Sequence, residues 1–253
     1  MNTDFSGKNI LITGASRGIG RAIAVRFAKL KARVAIHYNK NREAAEQTLA
    51  ELEGSNHLLV AGDISDPDAV KKIADTALNG MGGIDVLVNN AGIWEERSLA
   101  DLSYDQWQEV WNRTMNTNLT GAANLTFLII QHMIKKGGGK IINVASRAAY
   151  RGEPSAPYYG ASKAGLIAFG QSMARALGRH NILFYAVAPA FIATEMTDDI
   201  LSSPEGDTIR SQSPLNRVGT VEEVANTVTF LAGAGTGFLT GCVVDINGAS
   251  YLR

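Results

Sequence analysis

Apolar runs of strand length alternate with longer amphipathic stretches along the whole of this chain, and no other feature narrows its possible folds so far. Asn9 to Thr13 reads as a strand, Ile19 to Leu30 as a helix and Arg33 to Tyr38 as a second strand. Further strand-like runs follow at His57–Ala61, Ile84–Asn89, Lys140–Ala145, Ile182–Ala188 and Cys242–Ile246, with helical stretches between them. Two of the helical stretches are long, Tyr104 to Lys136 and Ala156 to Arg179. Strands separated by helices pair in parallel through right-handed crossovers, which puts helices on both faces of one sheet. The expectation is an α/β protein with a single-domain, doubly wound, Rossmann-like fold and a seven-stranded parallel sheet.

No composition shift, proline-rich linker or repeat divides the 253 residues, so 1–253 is read as one domain. Between the sixth and seventh strands, residues 191–217 lack a clear strand and contain Ser202-Ser203-Pro204-Glu205-Gly206-Asp207. Loops this long in compact domains are usually functional, and this one is expected to cover a substrate site as a lid.

Immediately after the first strand stands Thr13-Gly14-Ala15-Ser16-Arg17-Gly18-Ile19-Gly20. Its glycines let backbone approach a pyrophosphate at a helix N-terminus, where unpaired N–H groups and the positive end of the dipole favour an anion. Three glycines at fixed offsets arise by chance about 0.3 times in a chain this rich in glycine, so the place between strand and helix carries the reading. Some 20 residues on, where an NAD site presents a carboxylate to the ribose, the second strand ends in Tyr38-Asn39-Lys40-Asn41-Arg42 with no Asp or Glu. Arg17, Lys40 and Arg42 are suited to a 2′-phosphate, which favours NADP over NAD, with Asn39 and Lys40 counted among the cofactor residues. The alternative for Lys40 and Arg42 is that they are solvated charges at a helix start.

Tyr159 and Lys163 lie four apart on a helical stretch and so share a face. A phenol donates its proton poorly at neutral pH, and a neighbouring ammonium stabilises the phenolate. A tyrosine so placed is able to protonate a carbonyl oxygen as hydride arrives.

Taken together, these residues resemble the classical short-chain dehydrogenase/reductase family, and within it the 3-oxoacyl-(acyl-carrier-protein) reductases. Four family motifs occur in family order: Gly14, Gly18 and Gly20; Asn89-Asn90-Ala91-Gly92; Ser146; and Tyr159 with Lys163. The resemblance implies that Ser146 orients a substrate carbonyl, that Tyr159 is acid in reduction and base in oxidation, and that Lys163 holds the nicotinamide ribose and lowers the pKa of Tyr159. It implies that Asn118 positions a proton-relay water, with Asn116 as the neighbouring alternative. By the same resemblance Ser16 to Gly20 face the pyrophosphate, Asp63 and Ile64 contact adenine, and Asn90, Ala91 and Gly92 line the ribose. Pro189, Ile192 and Thr194 hold the carboxamide. Pro189-Ala190 and Tyr185 depart from the family's Pro-Gly and asparagine, and Ile93-Trp94-Glu95-Glu96-Arg97 departs from the acyl-carrier-protein reductases. The substrate is therefore open between an acyl thioester and another small ketone, sugar or secondary alcohol. Lys135, Lys136, Arg175 and Arg179 are candidates for docking an acidic carrier protein, or are ordinary solvated helix charges. The resemblance also implies a homotetramer packed through the two long helices and the last strand, with Phe127, Leu128, Phe169 and Met173 as interface or core.

Composition limits the other classes. Twenty-four basic residues balance 24 acidic ones, which gives no field attracting nucleic acid or anionic membrane. The opening Met-Asn-Thr-Asp-Phe-Ser-Gly-Lys has no leader pattern and no run is long enough to span a bilayer, so a soluble cytoplasmic protein is expected. Cys242 is the single cysteine, and His37, His57, His132 and His180 show no ligand spacing, so no metal site is expected and these histidines are read as surface or packing residues. Two rivals remain. Gly14-Ala15-Ser16-Arg17-Gly18 also fits the nucleophile elbow of an α/β-hydrolase, but it follows the first strand and no histidine lies beyond His180. A non-catalytic dinucleotide sensor would share the fold without needing the serine, tyrosine and lysine together.

Overall fold

The computed structural model describes residues 4–195 and 197–253; the first three residues of the N-terminal segment read above, and Met196 of the expected lid, lie outside them. Seven strands form one parallel sheet: β1 (Asn9–Ile12), β2 (Arg33–Tyr38), β3 (Leu58–Ala61), β4 (Val86–Asn89), β5 (Gly139–Val144), β6 (Ile182–Pro189) and β7 (Val243–Ile246). Their order across the sheet is β3-β2-β1-β4-β5-β6-β7, so the chain reverses its direction of travel at β1. β1 pairs with β2 from Asn9↔Arg33 and with β4 from Ile10↔Val86. Every expected strand is present, displaced by no more than two residues at an end.

The strands are apolar along their length because both faces are covered. Successive residues of β1 serve different layers. Ile10 and Ile12 pack with Val34, Ile36, Val88 and Val187 against the helices α1 (Gly18–Lys29) and α10 (Val221–Ala232). Leu11 packs with Ala35, Leu87, Ile141 and Phe184 against α3 (Pro67–Met81), α5 (Gly121–Lys136) and α7 (Pro157–Leu177). The remaining helices before α7 are α2 (Arg42–Ala50), α4 (Tyr104–Met115) and the short α6 (Ala148–Arg151). Helix ends follow their capping residues: Asn41, Asp66, Ser103 and Thr220 each accept a backbone N–H at the start of α2, α3, α4 and α10, and Gly82 closes α3 at φ +72°.

Three details differ from the expectation. The long stretch from Tyr104 to Lys136 is interrupted by a π turn at Asn116–Thr120, where the Gly121 N–H reaches Asn116 O. Residues 191–217 are not structureless: they carry the short helices α8 (Asp198–Leu201) and α9 (Glu205–Ser211), and Ile209 of α9 lines a cavity that it shares with Arg147. Tyr185 is fully buried in the sheet, with its hydroxyl on Thr236 O at 3.1 Å, and does not reach the site, so its departure from the family asparagine leaves the pocket untouched.

His37 performs more than packing. Its Nδ1 accepts the Gly14 N–H at 3.1 Å and its Nε2 donates to Gly62 O at 3.0 Å, so one buried imidazole ties the glycine turn to the end of β3. Accepting at Nδ1 while donating from Nε2 requires the neutral ring, and burial pushes its pKa down from 6.5 to about 4. Because the folded value lies below the unfolded one, this histidine's contribution is complete above pH 6.5 and is lost as pH falls toward 4, a total of about 3 kcal/mol. Urea unfolding at pH 7 and pH 4.5 is expected to show a smaller acid loss in His37→Gln than in the wild type, and equal losses would contradict the assignment.

Candidate active site

The carboxyl ends of β1 and β4 diverge beneath a crevice, because the connections from β1 and β4 leave toward opposite halves of the sheet. The glycine turn and the segment after β4 are stitched across it. Thr13 Oγ1 accepts the Asn90 and Ala91 N–H groups at 2.9 and 3.0 Å, and Asn90 Nδ2 donates to Thr13 O and Gly14 O at 2.8 and 3.0 Å. Gly14 lies at φ +63°, and a Cβ there would stand 3.0 Å from the Ala91 backbone. A Cβ on Gly20 would collide with Gly14 O, so the turn and helix close on each other only with glycine at both ends.

Helix α1 differs from the four capped helices. Arg17 at its start makes no side-chain cap and its first turn holds no acidic residue, which leaves its N–H groups and positive dipole end open to an anion. Around it runs a groove of about 520 Å³. Gly14, Ser16, Arg17, Gly18, Ile19 and Gly20 form its floor; Asn39, Asp63 and Ile64 form one end; Asn90, Ala91, Gly92 and Thr194 form the other. Arg17 is exposed and takes part in no ion pair among the described residues. Asp63 is held below the ordinary carboxylate range chiefly by its hydrogen bonds from Ser65, with nearby Asn39 and Lys40 acting in the same direction. Lys40 does not line the groove, and Arg42 forms an exposed 2.8 Å ion pair with Glu46 one turn along α2, the solvated-charge alternative.

A second cavity of about 210 Å³ joins this groove through Ile19, Gly92, Ile93 and Thr194. Ser146 stands just beyond β5, Tyr159 and Lys163 project from α7, Pro189 ends β6, and Ile192 and Thr194 lie just beyond it; all line the cavity. Trp94, Glu153 and Phe191 complete its wall, whereas Tyr150 lies apart under the Arg253 guanidinium, 4.2 Å from its ring centroid. Lys163 is 4% exposed and donates to Val144 O at 2.9 Å, which fixes its amine beneath Tyr159, 5.7 Å from the ring centroid.

Sequence reasoning expected Lys163 to lower the Tyr159 pKa. In the site, burial raises the Tyr159 phenol, the neighbouring Ser146 hydroxyl opposes the rise and the Glu153 charge adds to it. Burial also pushes Lys163 down, to about 8. At neutral pH the phenol keeps its proton, the state that a proton donor needs.

Asn118, fully buried in the π turn, is set apart from exposed Asn116. Its Oδ1 accepts the Ile93 N–H at 2.8 Å and its Nδ2 donates to Ile93 O and Ser162 Oγ at 3.0 and 3.1 Å. A Cβ on Gly92 would lie 3.3 Å from both Asn118 Oδ1 and Lys163 Nζ, so the three meet behind the cavity. Deeper still, Asn89 Nδ2 donates to Thr126 Oγ1 and Asn143 Oδ1, both at 2.9 Å, and Asn143 Nδ2 donates to Leu166 O at 3.3 Å, which ties β4, β5, α5 and α7 together. In the sequence Asn89 stood only as the first residue of the Asn89-Asn90-Ala91-Gly92 motif, and Asn143 had no signal beyond a polar residue in an apolar run, as was true of His37. Asn118→Ala, which strands the buried Ile93 N–H, is expected to cost about 2 kcal/mol in urea unfolding, while Asn116→Ala stays within about 0.5 kcal/mol; the reverse order would misassign the residue.

Among the described residues no group of three or more His, Cys, Asp or Glu is placed to hold a metal ion, and no helix is long and apolar enough to cross a membrane. The family described as short chain dehydrogenase matches residues 8–205. The 3-oxoacyl-(acyl-carrier-protein) reductase of Staphylococcus aureus is 37% identical over 247 residues, 97% of this chain and 98% of that protein. The 3-oxoacyl-(acyl-carrier-protein) reductase of Synechocystis is 36% identical over 253 residues, 99% of each chain. Among solved structures, a Sinorhizobium meliloti protein assigned provisionally as a short-chain alcohol dehydrogenase superposes with a TM-score of 0.89 at 33% identity, covering 98% of this chain and 97% of its own. An Agrobacterium tumefaciens protein assigned provisionally as a gluconate dehydrogenase gives 0.91 at 28% identity over 98% and 97%.

Proposed function

The chain belongs to the short-chain dehydrogenase family, and from that premise we propose that it is an NADP-dependent oxidoreductase that reduces a ketone or oxidises the matching secondary alcohol. The observation that carries this reading is the convergence of Ser146, Tyr159 and Lys163 on one cavity that opens into the groove beneath the glycine turn. The nicotinamide cofactor, when bound, supplies or accepts the hydride. Gly14, Ser16, Gly18, Ile19 and Gly20 would hold its pyrophosphate through the uncapped start of α1, and Asp63, Ile64, Asn90, Ala91 and Gly92 its adenosine. Pro189, Ile192 and Thr194 would flank the nicotinamide.

Arg17 and Asn39 support NADP over NAD: an unpaired guanidinium lies at the groove where a carboxylate would otherwise meet the ribose, and Asn39 brings no negative charge. Lys40 stays an expectation of lesser weight, since it stands outside the groove lining. In reduction Ser146 would orient the carbonyl oxygen and Tyr159 Oη would deliver its proton. Lys163, largely protonated at neutral pH, would stabilise the phenolate that remains and return a proton to it, and would itself be reprotonated from solvent through the polar groups around Asn118.

The reductases of Staphylococcus and Synechocystis support a 3-oxoacyl thioester as substrate. A second reading, a short polar ketone or alcohol, is favoured by the charged Arg147 and Glu153 in a cavity of about 210 Å³. For a carrier protein the basic surface is thinner than expected, because Lys136 is engaged by Asp85 at 2.8 Å. The same family reading makes the protein a cytoplasmic homotetramer, supported by the exposed Phe127, Phe238 and Leu252. Leu128 and Met173 pack instead against the buried core.

Oxidation of NADPH and NADH in the presence of a ketone panel that includes an acetoacetyl thioester is expected to favour NADPH. Tyr159→Phe should lose most turnover and keep NADPH binding, whereas Arg17→Gln should weaken NADPH more than NADH by roughly tenfold. Near-normal turnover in Tyr159→Phe would refute the mechanism. Sedimentation equilibrium should return four times the mass of the chain.

A further inference from the structure

Arg147 has no part in the chemistry above, yet it follows Ser146 directly and lines the same cavity. It is 3% exposed. Its backbone N–H donates to Pro189 O at 2.8 Å, which fixes the residue between the ends of β5 and β6. The guanidinium lies 5.7 Å from the centroid of the Phe191 ring, and Nη1 donates to Ser250 Oγ at 2.7 Å. No other acceptor takes its side-chain donors, and no carboxylate forms an ion pair with it, among the described residues.

A guanidinium presents five donors in a planar fork and stays charged in a protein. Removing such a charge from water without a counter-ion is among the costliest arrangements in a fold, and it persists where something else repays it. The neighbouring charges do so only in part. Glu153 in the same cavity offsets only part of the cost, since it stands beyond ion-pair distance, and Arg151 adds positive charge while bonding Gln212 Oε1 at 2.8 Å. The charges on the far side of Arg147 are matched within the chain, Arg217 with Glu223 and Asp245 with Arg253.

Resting on the oxidoreductase reading above, we propose that Arg147 is a specificity-determining residue that binds a carboxylate of the substrate, so that the protein acts on a short oxo or hydroxy acid. The anion completes the fork of Arg147 while Ser146 and Tyr159 hold the reacting oxygen. Since Arg147 and Ser146 line one cavity of only about 210 Å³, the two functional groups of the substrate are separated by a few bonds.

The test measures kcat/KM with NADPH for pyruvate, acetoacetate and levulinate beside their methyl esters. The wild type is expected to prefer at least one acid over its ester by roughly a hundredfold. Arg147→Gln should abolish that preference while ester turnover stays within a few fold, and Arg147→Lys should restore part of it. Equal use of acids and esters by the wild type would overturn the proposal. So would equal loss on both in Arg147→Gln, the signature of a residue that only braces the C-terminal segment through Ser250; Ser250→Ala, which removes the brace alone, should keep the preference. If no compound of the panel is turned over, it is the oxidoreductase reading that is challenged, and calorimetric titration of the same acids and esters still decides the inference. Tighter binding of acids to the wild type than to Arg147→Gln supports it, and no such difference overturns it.

Discussion

Hydrogen bonding of β1 to β2 on one side and to β4 on the other is the constraint from which the site follows. With all strands parallel, their carboxyl ends share one edge of the sheet, and the chain leaves β1 and β4 toward opposite halves. The crevice between those departures cannot be filled by either connection. It is instead lined by backbone, since the glycine turn and the Asn90 segment approach each other too closely for side chains at Gly14 and Gly20. Ser146 after β5 and Pro189, Ile192 and Thr194 at and beyond the end of β6 arrive at that edge because the strands deliver them there, and α7 brings Tyr159 and Lys163 to the same place.

At the same edge, burial moves ionisable groups away from their ordinary behaviour. The Tyr159 phenol is raised, while Lys163 and His37 are lowered. Each is kept in place by a few directional bonds: Lys163 by Val144 O, and His37 by Gly14 and Gly62. A folded protein tolerates such groups where they do something that a hydrocarbon could not. The contrast with exposed ion pairs such as Arg42 with Glu46 is instructive, since those hold charges in water and contribute little.

The fold was legible because period and spacing are properties of the chain itself. Strand runs, crossovers and the glycine turn between Ile12 and Gly20 can be read without knowing what lies beside them. The Tyr159 and Lys163 pair was legible for the same reason, as four residues on a helix set a shared face. What escaped depended on partners remote in sequence. Whether Lys40 reaches the groove, whether Tyr185 faces the pocket or the core, and that His37 spans Gly14 and Gly62 are decided by tertiary placement. Burial raises the Tyr159 phenol in the structure, a contribution set by surroundings that the sequence, which displayed only the nearby ammonium, did not reveal. The helices α8 and α9 were hidden by their brevity, since neither is long enough to establish a period.

The π turn at Asn116–Thr120 inserts one residue more than an α-helix would use between α4 and α5. Each residue of an α-helix advances the azimuth of its successors by about 100°. Deleting one residue here would therefore allow an unbroken helix but swing the buried stripe of Leu125, Ile129 and Met133 away from the sheet. Keeping that stripe in place would instead unwind the turn that buries Asn118. The length of this stretch is thus held from both sides: point changes can be absorbed one side chain at a time, but a change in residue count forces a choice between the core layer and the back wall of the site.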